Sequence, residues 1–545
     1  MKIKCLTICC LLGALVASAY ADVRTAVGDL QNALLWTDYF YVDSVSVDKL
    51  AESAILGMLK ELDPHSTYLT ADEVKSMDEN LGGTFEGIGV RYQMDRDTLL
   101  VISTVVGGPS EKVGIMAGDR IIAVGDSSIA GMKMGTREIQ RRLRGPKGTI
   151  AQLTVLRDGE RIAFRVERDR IPVYSLDASY MASPEVGYIK VSRFSQTTDD
   201  ELVKALDQLK EQGMKHLIID LQGNGGGYLE SAVQLCSHFL DYGNMVVYTE
   251  GRREQRKEHH ASLRHPFEGR LVVMIDERSA SSSEIFTGAM QDWDRAVIVG
   301  RRSFGKGLVQ RPIKLPSGAM IRLTIAHYYT PSGRCIQKPF DPGKGDAYSQ
   351  DLANRYKNGE YLSADSIHLV DSLRYTTHGG RTVYGGGGIM PDVFVPLDTT
   401  RLGKTHRDLI AKGTVNRYVL AYFSENQKAL KRKYKTFEDF ERGFQVTDDM
   451  MADLCSRGTA DSVRIDSAEM ASGSRLLRLQ LKALVANDLF ETGAYARIMN
   501  TQVDAYRTAL DIISDPERYK AYLTKEGQAD ASAQKVKEGK TGKTK

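Results

Sequence analysis

The sequence predicts an α/β chain built from several domains, and three observations carry that expectation. Two short apolar runs, His216–Leu221 (HLIIDL) and Leu271–Asp276 (LVVMID), have the length and composition of buried strands. Each leads through a turn into a stretch whose apolar residues recur every three or four positions, the mark of an amphipathic helix. Helical periodicity over residues 22–80 gives way to short strands and turns from about Leu81 to Arg170, and charged, helix-like sequence returns from about residue 401.

At the start, MKIK, the apolar run Cys5 to Val16 and the small-x-small site Ala19-Tyr20-Ala21 form a secretory signal peptide, expected to be cut after Ala21. The chain is therefore expected to be exported, to the periplasm or beyond. Cys9 and Cys10 lack the small preceding residue of a lipid-anchoring site, and no later run reaches the roughly 20 apolar residues of a membrane span. Cys5, Cys9 and Cys10 leave with the peptide; Cys236, Cys335 and Cys455 remain, an odd number far apart, which argues against a disulfide framework. Cys236 lies on an apolar helix face and reads as a core residue. The 73 basic and 70 acidic side chains nearly cancel, so nothing predicts binding to nucleic acid or a charged bilayer. About 524 residues after cleavage allow roughly three or four domains.

Along the rest of the chain, Val23, Val27, Leu30 and Leu34 share one helix face, and Ala54, Ile55, Met58, Leu59 and Leu62 share another. Asp63 to Leu69 (DPHSTYL) breaks that pattern. Val186 to Val191 is an expected strand and Asp199 to Gln212 a helix. The turn Gly223-Asn224-Gly225-Gly226-Gly227 precedes a helix marked by Leu229, Ala232, Val233, Cys236 and Leu240. His259-His260, flanked by Lys257, Glu258 and Arg264, reads as a solvated loop rather than a metal pair. Ser282 to Trp293 is an expected helix with Ile285, Phe286, Ala289, Met290 and Trp293 on its apolar face. Ala296 to Gly300 is a strand, Ala319 to Tyr329 an alternating strand, and Asp341 to Arg381 a polar surface excursion. Beyond residue 401, Leu476, Leu477, Leu479, Leu481 and Leu484 supply apolar positions, and from Asp530 the lysine-rich tail is expected to be disordered.

The chemistry concentrates between Ser279 and Gln310 (SASSSEIFTGAMQDWDRAVIVGRRSFGKGLVQ). Ser281 falls at a strand-to-helix corner, where unpaired backbone N–H groups and the helix dipole favour negative charge, the setting of a nucleophilic serine with an oxyanion hole. No histidine lies in this stretch, and its single lysine is Lys306, between Gly305 and Gly307. A lysine with an ordinary pKa of about 10.4 is almost wholly protonated at neutral pH. Burial disfavours the charged form, which makes lysine a workable base, and serine–lysine dyads are a known variant of the triad logic. Gln310 offers an uncharged group to orient the amine. The glycine-rich corner after His216–Leu221 supplies backbone N–H groups that a carbonyl oxygen can approach closely. A phosphate-binding loop is the rival reading there, and no Gly-Lys-Ser/Thr follows to support it.

The pattern S-A-S-x-S-E-I, then Q-D, then F-G-K-G-x-V-Q, with Ser281 and Lys306 spaced 25 positions apart, resembles the carboxy-terminal processing peptidases, or tail-specific proteases. The resemblance spans roughly residues 45–400. It implies that Ser281 is the nucleophile, Lys306 the base and Gln310 its support, with no metal or organic cofactor required. The family's D-L-R-x-N-x-G-G motif implies an oxyanion donor from Gly226 or Gly227, with the Ser282 amide as the second. One departure is Gln222 in place of the motif's arginine, so any charge contact made there is expected to be missing. Asp63 to Leu69 resembles the family's D-P-H-S-x-Y/F-L element; with Lys306 as base, His65 is expected to be structural. Phe85-Glu86-Gly87-Ile88-Gly89-Val90 resembles the carboxylate-binding loop and second strand of a PDZ domain, and Pro109 to Val124 its central signature, with Ser110, Val113 and Ile115 departing from it. Peptide-binding residues implied are Phe85, Gly87, Ile88 and Gly89.

The expected organisation is a signal peptide (1–21), an N-terminal helical segment (22–80), a PDZ domain (81–170), a crotonase-like α/β protease core (171–400), a helical C-terminal domain (401–529) and a tail (530–545). The implied function is an exported serine endopeptidase that recognises the free C-termini of protein or peptide substrates. Nucleic acid and a transmembrane span are excluded; a homodimer through helical segments and an adaptor protein stay open. The competing reading is a non-catalytic peptide-binding scaffold, against which intact Ser281, Lys306 and Gln310 speak.

Overall fold

The computed structural model describes residues 23–525 apart from 96, 97, 133, 400, 401, 491 and 492, so the expected signal peptide and tail lie outside the described residues. The chain divides into a smaller unit (the residues up to Val74, Gln310–Thr324 and Phe340–Gln350) and a larger one that takes the rest.

In the smaller unit the expected helices appear at 23–40 and Val47–Lys60, the second capped by the Ser46 hydroxyl, which accepts from the Lys49 N–H. The stretch expected to be helical to residue 80 contains a strand, Thr67–Leu69, paired antiparallel with Met320–Arg322. Asp63 sets it up: its carboxylate accepts from Ser66 Oγ at 2.5 Å, from the His65 and Ser66 N–H groups and from Thr324 Oγ1 at 2.9 Å. Burial pushes the Asp63 carboxyl up, but these four bonds together hold it below its ordinary value. His65 Nε2 lies 2.7 Å from Tyr348 Oη.

The larger unit is built on a six-stranded sheet in the order Leu176–Ser183, Val186–Val191, His216–Asp220, Leu271–Ile275, Val297–Gly300, Val393–Phe394. The first pair is antiparallel and the others are parallel. Both faces are covered, which is why the strands read as continuous apolar runs. Leu217, Ile219, Val273 and Ile275 pack under the helices Thr198–Glu211, Leu229–Ser237 and Ser282–Asp292. Ile218, Val272 and Met274 face the other way, onto Tyr506, Ala509, Ile512, Ile513 and Tyr519. The helices Asp504–Ser514 and Pro516–Tyr522 thus close the back of the sheet, although the sequence groups them with a C-terminal helical domain.

Residues 84–172 form an antiparallel sheet domain with one main helix, Thr136–Leu143, over a core of Leu99, Val101, Ile121, Ile139, Val155 and Val166. Helices from Lys404 to Phe490 enclose a separate core containing Leu409, Phe423, Phe440, Leu454, Leu477 and Leu481.

One expectation is corrected: His259 and His260 belong to a strand, Lys257–His260, paired with Met245–Glu250. Among the described residues no cluster of three or more His, Cys, Asp or Glu side chains is arranged to hold a metal ion. The stretch within 341–381 is mostly exposed or half-buried, as expected, yet it carries two buried cations: Arg381 pairs with Asp294 and Asp392, and Arg355 is 3% exposed. No helix among the described residues is long and apolar enough to cross a membrane.

Candidate active site

The two strand–turn–helix corners meet in the larger unit, at the carboxyl ends of the adjacent parallel strands His216–Asp220 and Leu271–Ile275. Hydrogen bonds knit one corner to the other: Ala280 N–H to Asn224 O at 3.0 Å, Gly223 N–H to Asp276 Oδ1 at 2.9 Å, and Ser279 Oγ to Leu221 O at 2.8 Å. The hydroxyls of Ser282 and Ser283 do the same, donating to Gly227 O (3.0 Å) and Asn224 O (2.9 Å). The Ser281 hydroxyl makes none of these ties.

Ser281 differs from its neighbours in its backbone too. It caps the helix Ser282–Asp292 with φ 57° and ψ −116°, a region that costs a non-glycine residue about 1–3 kcal/mol. Strain of this kind persists only where the surroundings enforce it. Here the Ser281 N–H donates to Glu284 Oε2 at 2.9 Å, and Tyr328 Oη donates to the Ser281 carbonyl at 3.1 Å.

Opposite lies the glycine-rich turn. The Gly226 N–H is already given to Asn224 Oδ1 at 2.8 Å. That leaves the N–H groups of Gly227 and Ser282 as the two candidate donors with no acceptor among the described residues. Gly226 serves by its size instead: a Cβ there would lie 2.8 Å from both Ser281 Cβ and Ala280 O, at φ +99°. Gly226→Ala is therefore expected to destabilise the fold by about 1–3 kcal/mol, read as a lowered melting temperature, because neither wall is a flexible side chain.

Glu284 is the residue that reasoning from sequence missed. It is fully buried, and its two oxygens accept four hydrogen bonds. Oε1 takes Ser303 Oγ (2.5 Å) and Gly305 N–H (2.7 Å); Oε2 takes the N–H groups of Ser281 and Lys306, both at 2.9 Å. One oxygen thus holds the backbones of the candidate nucleophile and the candidate base together. Burial raises the Glu284 pKa, against the pull of these four donors. The signal was present as S-x-x-E, the capping-box spacing from Ser281 to Glu284.

The loss of the motif's arginine at Gln222 does not leave the turn without a cation. Lys190, on the neighbouring strand, donates to Asp220 Oδ2 and to the Gln222 carbonyl, both at 3.1 Å, while Asp220 Oδ1 takes the Gln222 N–H at 2.8 Å. Gln310 belongs to the smaller unit, where its Nε2 donates to the His65 carbonyl.

Phe85 and Gly87 lie on the strand Thr84–Gly87, paired with Asp169–Pro172, and Ile88 and Gly89 form the loop into the strand Val90–Asp95. Between that strand and the helix Thr136–Leu143 runs a groove of about 320 Å³, whose apolar lining includes Phe85, Ile88, Val90, Tyr92 and Leu143. The N–H groups of Ile88 and Gly89 have no acceptor among the described residues.

Comparison with known proteins identifies the family. Residues 185–343 match the family described as peptidase family S41, residues 87–167 a PDZ domain, and residues 405–491 a family of unknown function. The "Carboxy-terminal processing protease CtpB" of Bacillus subtilis (strain 168) is 33% identical over 368 residues, covering 66% of this chain and 74% of that protein. A "Probable CtpA-like serine protease" of Staphylococcus epidermidis (strain ATCC 12228 / FDA PCI 1200) is 37% identical over 308 residues, 56% of this chain; the match spans 61% of that relative's length. A solved photosystem II D1 C-terminal processing protease is 26% identical with a TM-score of 0.32, covering 56% of this chain and 89% of that one. The chain belongs to peptidase family S41, among the carboxy-terminal processing proteases, and carries a PDZ domain.

Proposed function

We propose that this chain is an exported serine endopeptidase that holds the free C-terminus of a protein substrate in its PDZ groove and cleaves with a Ser281–Lys306 dyad. The observation that carries the reading is the strained corner at Ser281, beside two N–H groups without acceptors and joined through Glu284 to the backbone of Lys306. In this mechanism the Ser281 oxygen attacks the scissile carbonyl while the neutral Lys306 amine takes its proton. The Gly227 and Ser282 N–H groups receive the oxyanion, and the Lys306 ammonium then returns the proton to the departing amine. A supporting role for Gln310, four residues on, is implied by the family motif alone. Export rests on the N-terminal signal sequence alone. Pairing of two copies through helical segments, and delivery of substrates by an adaptor, belong to the same reading and are tested by the mass of the purified protein and by its partners.

The PDZ groove gives the sharpest test. A terminal carboxylate held by the Ile88 and Gly89 N–H groups makes charge-assisted bonds, typically about 1.5–3 kcal/mol for bonds to a charged group. Amidating the C-terminus of a peptide substrate should therefore slow its cleavage roughly ten- to a hundredfold. Matched peptides differing only in that group, digested side by side, provide the measurement. Equal rates would remove C-terminal recognition from the proposal, and no cleavage of either peptide, nor of an unfolded protein, would remove the peptidase.

A further inference from the structure

The loop Ser303–Lys306 is held by groups within the matched S41 segment and by one side chain beyond it. Glu284 holds it from inside the core. From outside it is met by Arg355, on the helix Asp351–Lys357, beyond the residues that match the peptidase family. Arg355 Nη1 donates to the Ser303 carbonyl at 2.8 Å and Nη2 to the Phe304 carbonyl at 3.1 Å. The next carbonyl, Gly305 O, accepts the Lys338 N–H at 2.9 Å. Three successive carbonyls before Lys306 are therefore occupied.

The fork is itself oriented. Asp351 Oδ2 forms an ion pair 3.0 Å from Arg355 Nε, without the geometry of a hydrogen bond, and lies 2.9 Å from Lys338 Nζ; the Lys338 ammonium lies 4.0 Å from the centroid of the Phe304 ring. Arg302, at the start of the loop, pairs with Glu360, whose N–H bonds back to the Arg355 carbonyl at 3.0 Å. Burying an arginine requires such partners, since an unpaired buried cation is strongly unfavourable. A purely structural need could be met by apolar packing at less cost. What a planar guanidinium adds is simultaneous bonding to two adjacent carbonyls, which fixes the orientation of both peptide planes.

We propose that Arg355, oriented by Asp351, is a positioning residue for the base: it locks the backbone of Ser303–Phe304 so that the Lys306 side chain leaves the loop in a single direction. The inference rests on the reading of Lys306 as the base. Its chemistry predicts a specific defect, because misplacing a reacting group by about 1 Å costs roughly a hundredfold in rate while the peptide-binding groove is untouched.

The test uses the full chain carrying Arg355→Met, Arg355→Lys or Asp351→Asn, with Ser281→Ala as the control for the source of activity. Two experiments are read: amide hydrogen exchange across 302–307, and the kinetics (kcat and KM) on a peptide with a free C-terminus. Arg355→Met should speed exchange in that segment while protection of the central sheet is retained, and should lower kcat about 10- to 100-fold with KM within about twofold. Arg355→Lys should recover only part of kcat, because an ammonium cannot bridge two carbonyls as a fork does. Asp351→Asn, at a partly exposed site, should show the same pattern more weakly, and it decides the matter if Arg355→Met does not fold. Unchanged exchange at 302–307, or a rise in KM with kcat intact, overturns the proposal. Cleavage that survives in Ser281→Ala would sink the assignment of Ser281 as nucleophile instead, and the exchange measurement would still decide whether Arg355 holds the loop.

Discussion

Ser281→Ala is expected to abolish cleavage, with a loss on the order of 10⁴-fold or more, while the protein melts as the wild type does. The side chains share a Cβ, so the strain at φ 57° is unchanged, and the bonds that enforce it involve only the backbone N–H and carbonyl of residue 281. Ser283→Ala should do the opposite. Its hydroxyl bonds Asn224 O inside the core, so its removal costs stability, about 1 kcal/mol, and leaves most of the activity. Kinetics and melting curves on the two variants read these outcomes directly. Equal loss of activity from both, with folding intact, would mean that the nucleophile has been placed wrongly within the serine cluster.

Lys306→Arg is expected to be nearly as damaging, roughly 10³-fold or more, although the positive charge is kept. A guanidinium has a pKa above about 12 and yields no neutral base at any pH the protein tolerates. The loop should survive the change, because its anchors are the Lys306 and Gly305 N–H groups on Glu284 and the carbonyls held by Arg355 and Lys338. A folded, inactive Lys306→Arg, checked by circular dichroism and peptide hydrolysis, is the predicted result. Substantial turnover would move the base elsewhere, with His65 examined first. Its ring lies 2.7 Å from the Tyr348 hydroxyl in the smaller unit.

Much of the core was legible because it is written in local patterns. His216–Asp220 and Leu271–Ile275 are unbroken apolar runs since both faces of their sheet are covered, and the helix Ser282–Asp292 begins where a serine cluster meets apolar periodicity. Thr67–Leu69 was not legible. Three residues carry no period, and the strand exists because Met320–Arg322 arrives from far along the chain to pair with it. Residues 257–260 failed for the same reason: Lys-Glu-His-His is strand only beside Met245–Glu250.

By itself, the sequence determined the family, the PDZ and peptidase segments, and the residue types available for chemistry, since motif spacing and apolar periodicity are properties of the chain alone. Only the tertiary structure decided which groups are spent and which are available. It gave the hydroxyls of Ser282 and Ser283 to backbone carbonyls, and it gave the Gly226 N–H to Asn224. Lys190 went to Asp220 and the Gln222 carbonyl. Glu284 and Arg355 came to hold the loop Ser303–Lys306. The physical reason is that hydrogen-bond capacity inside a protein is finite and local: each buried donor and acceptor is allotted by whatever the fold brings within 3 Å, and a linear pattern carries no record of that proximity.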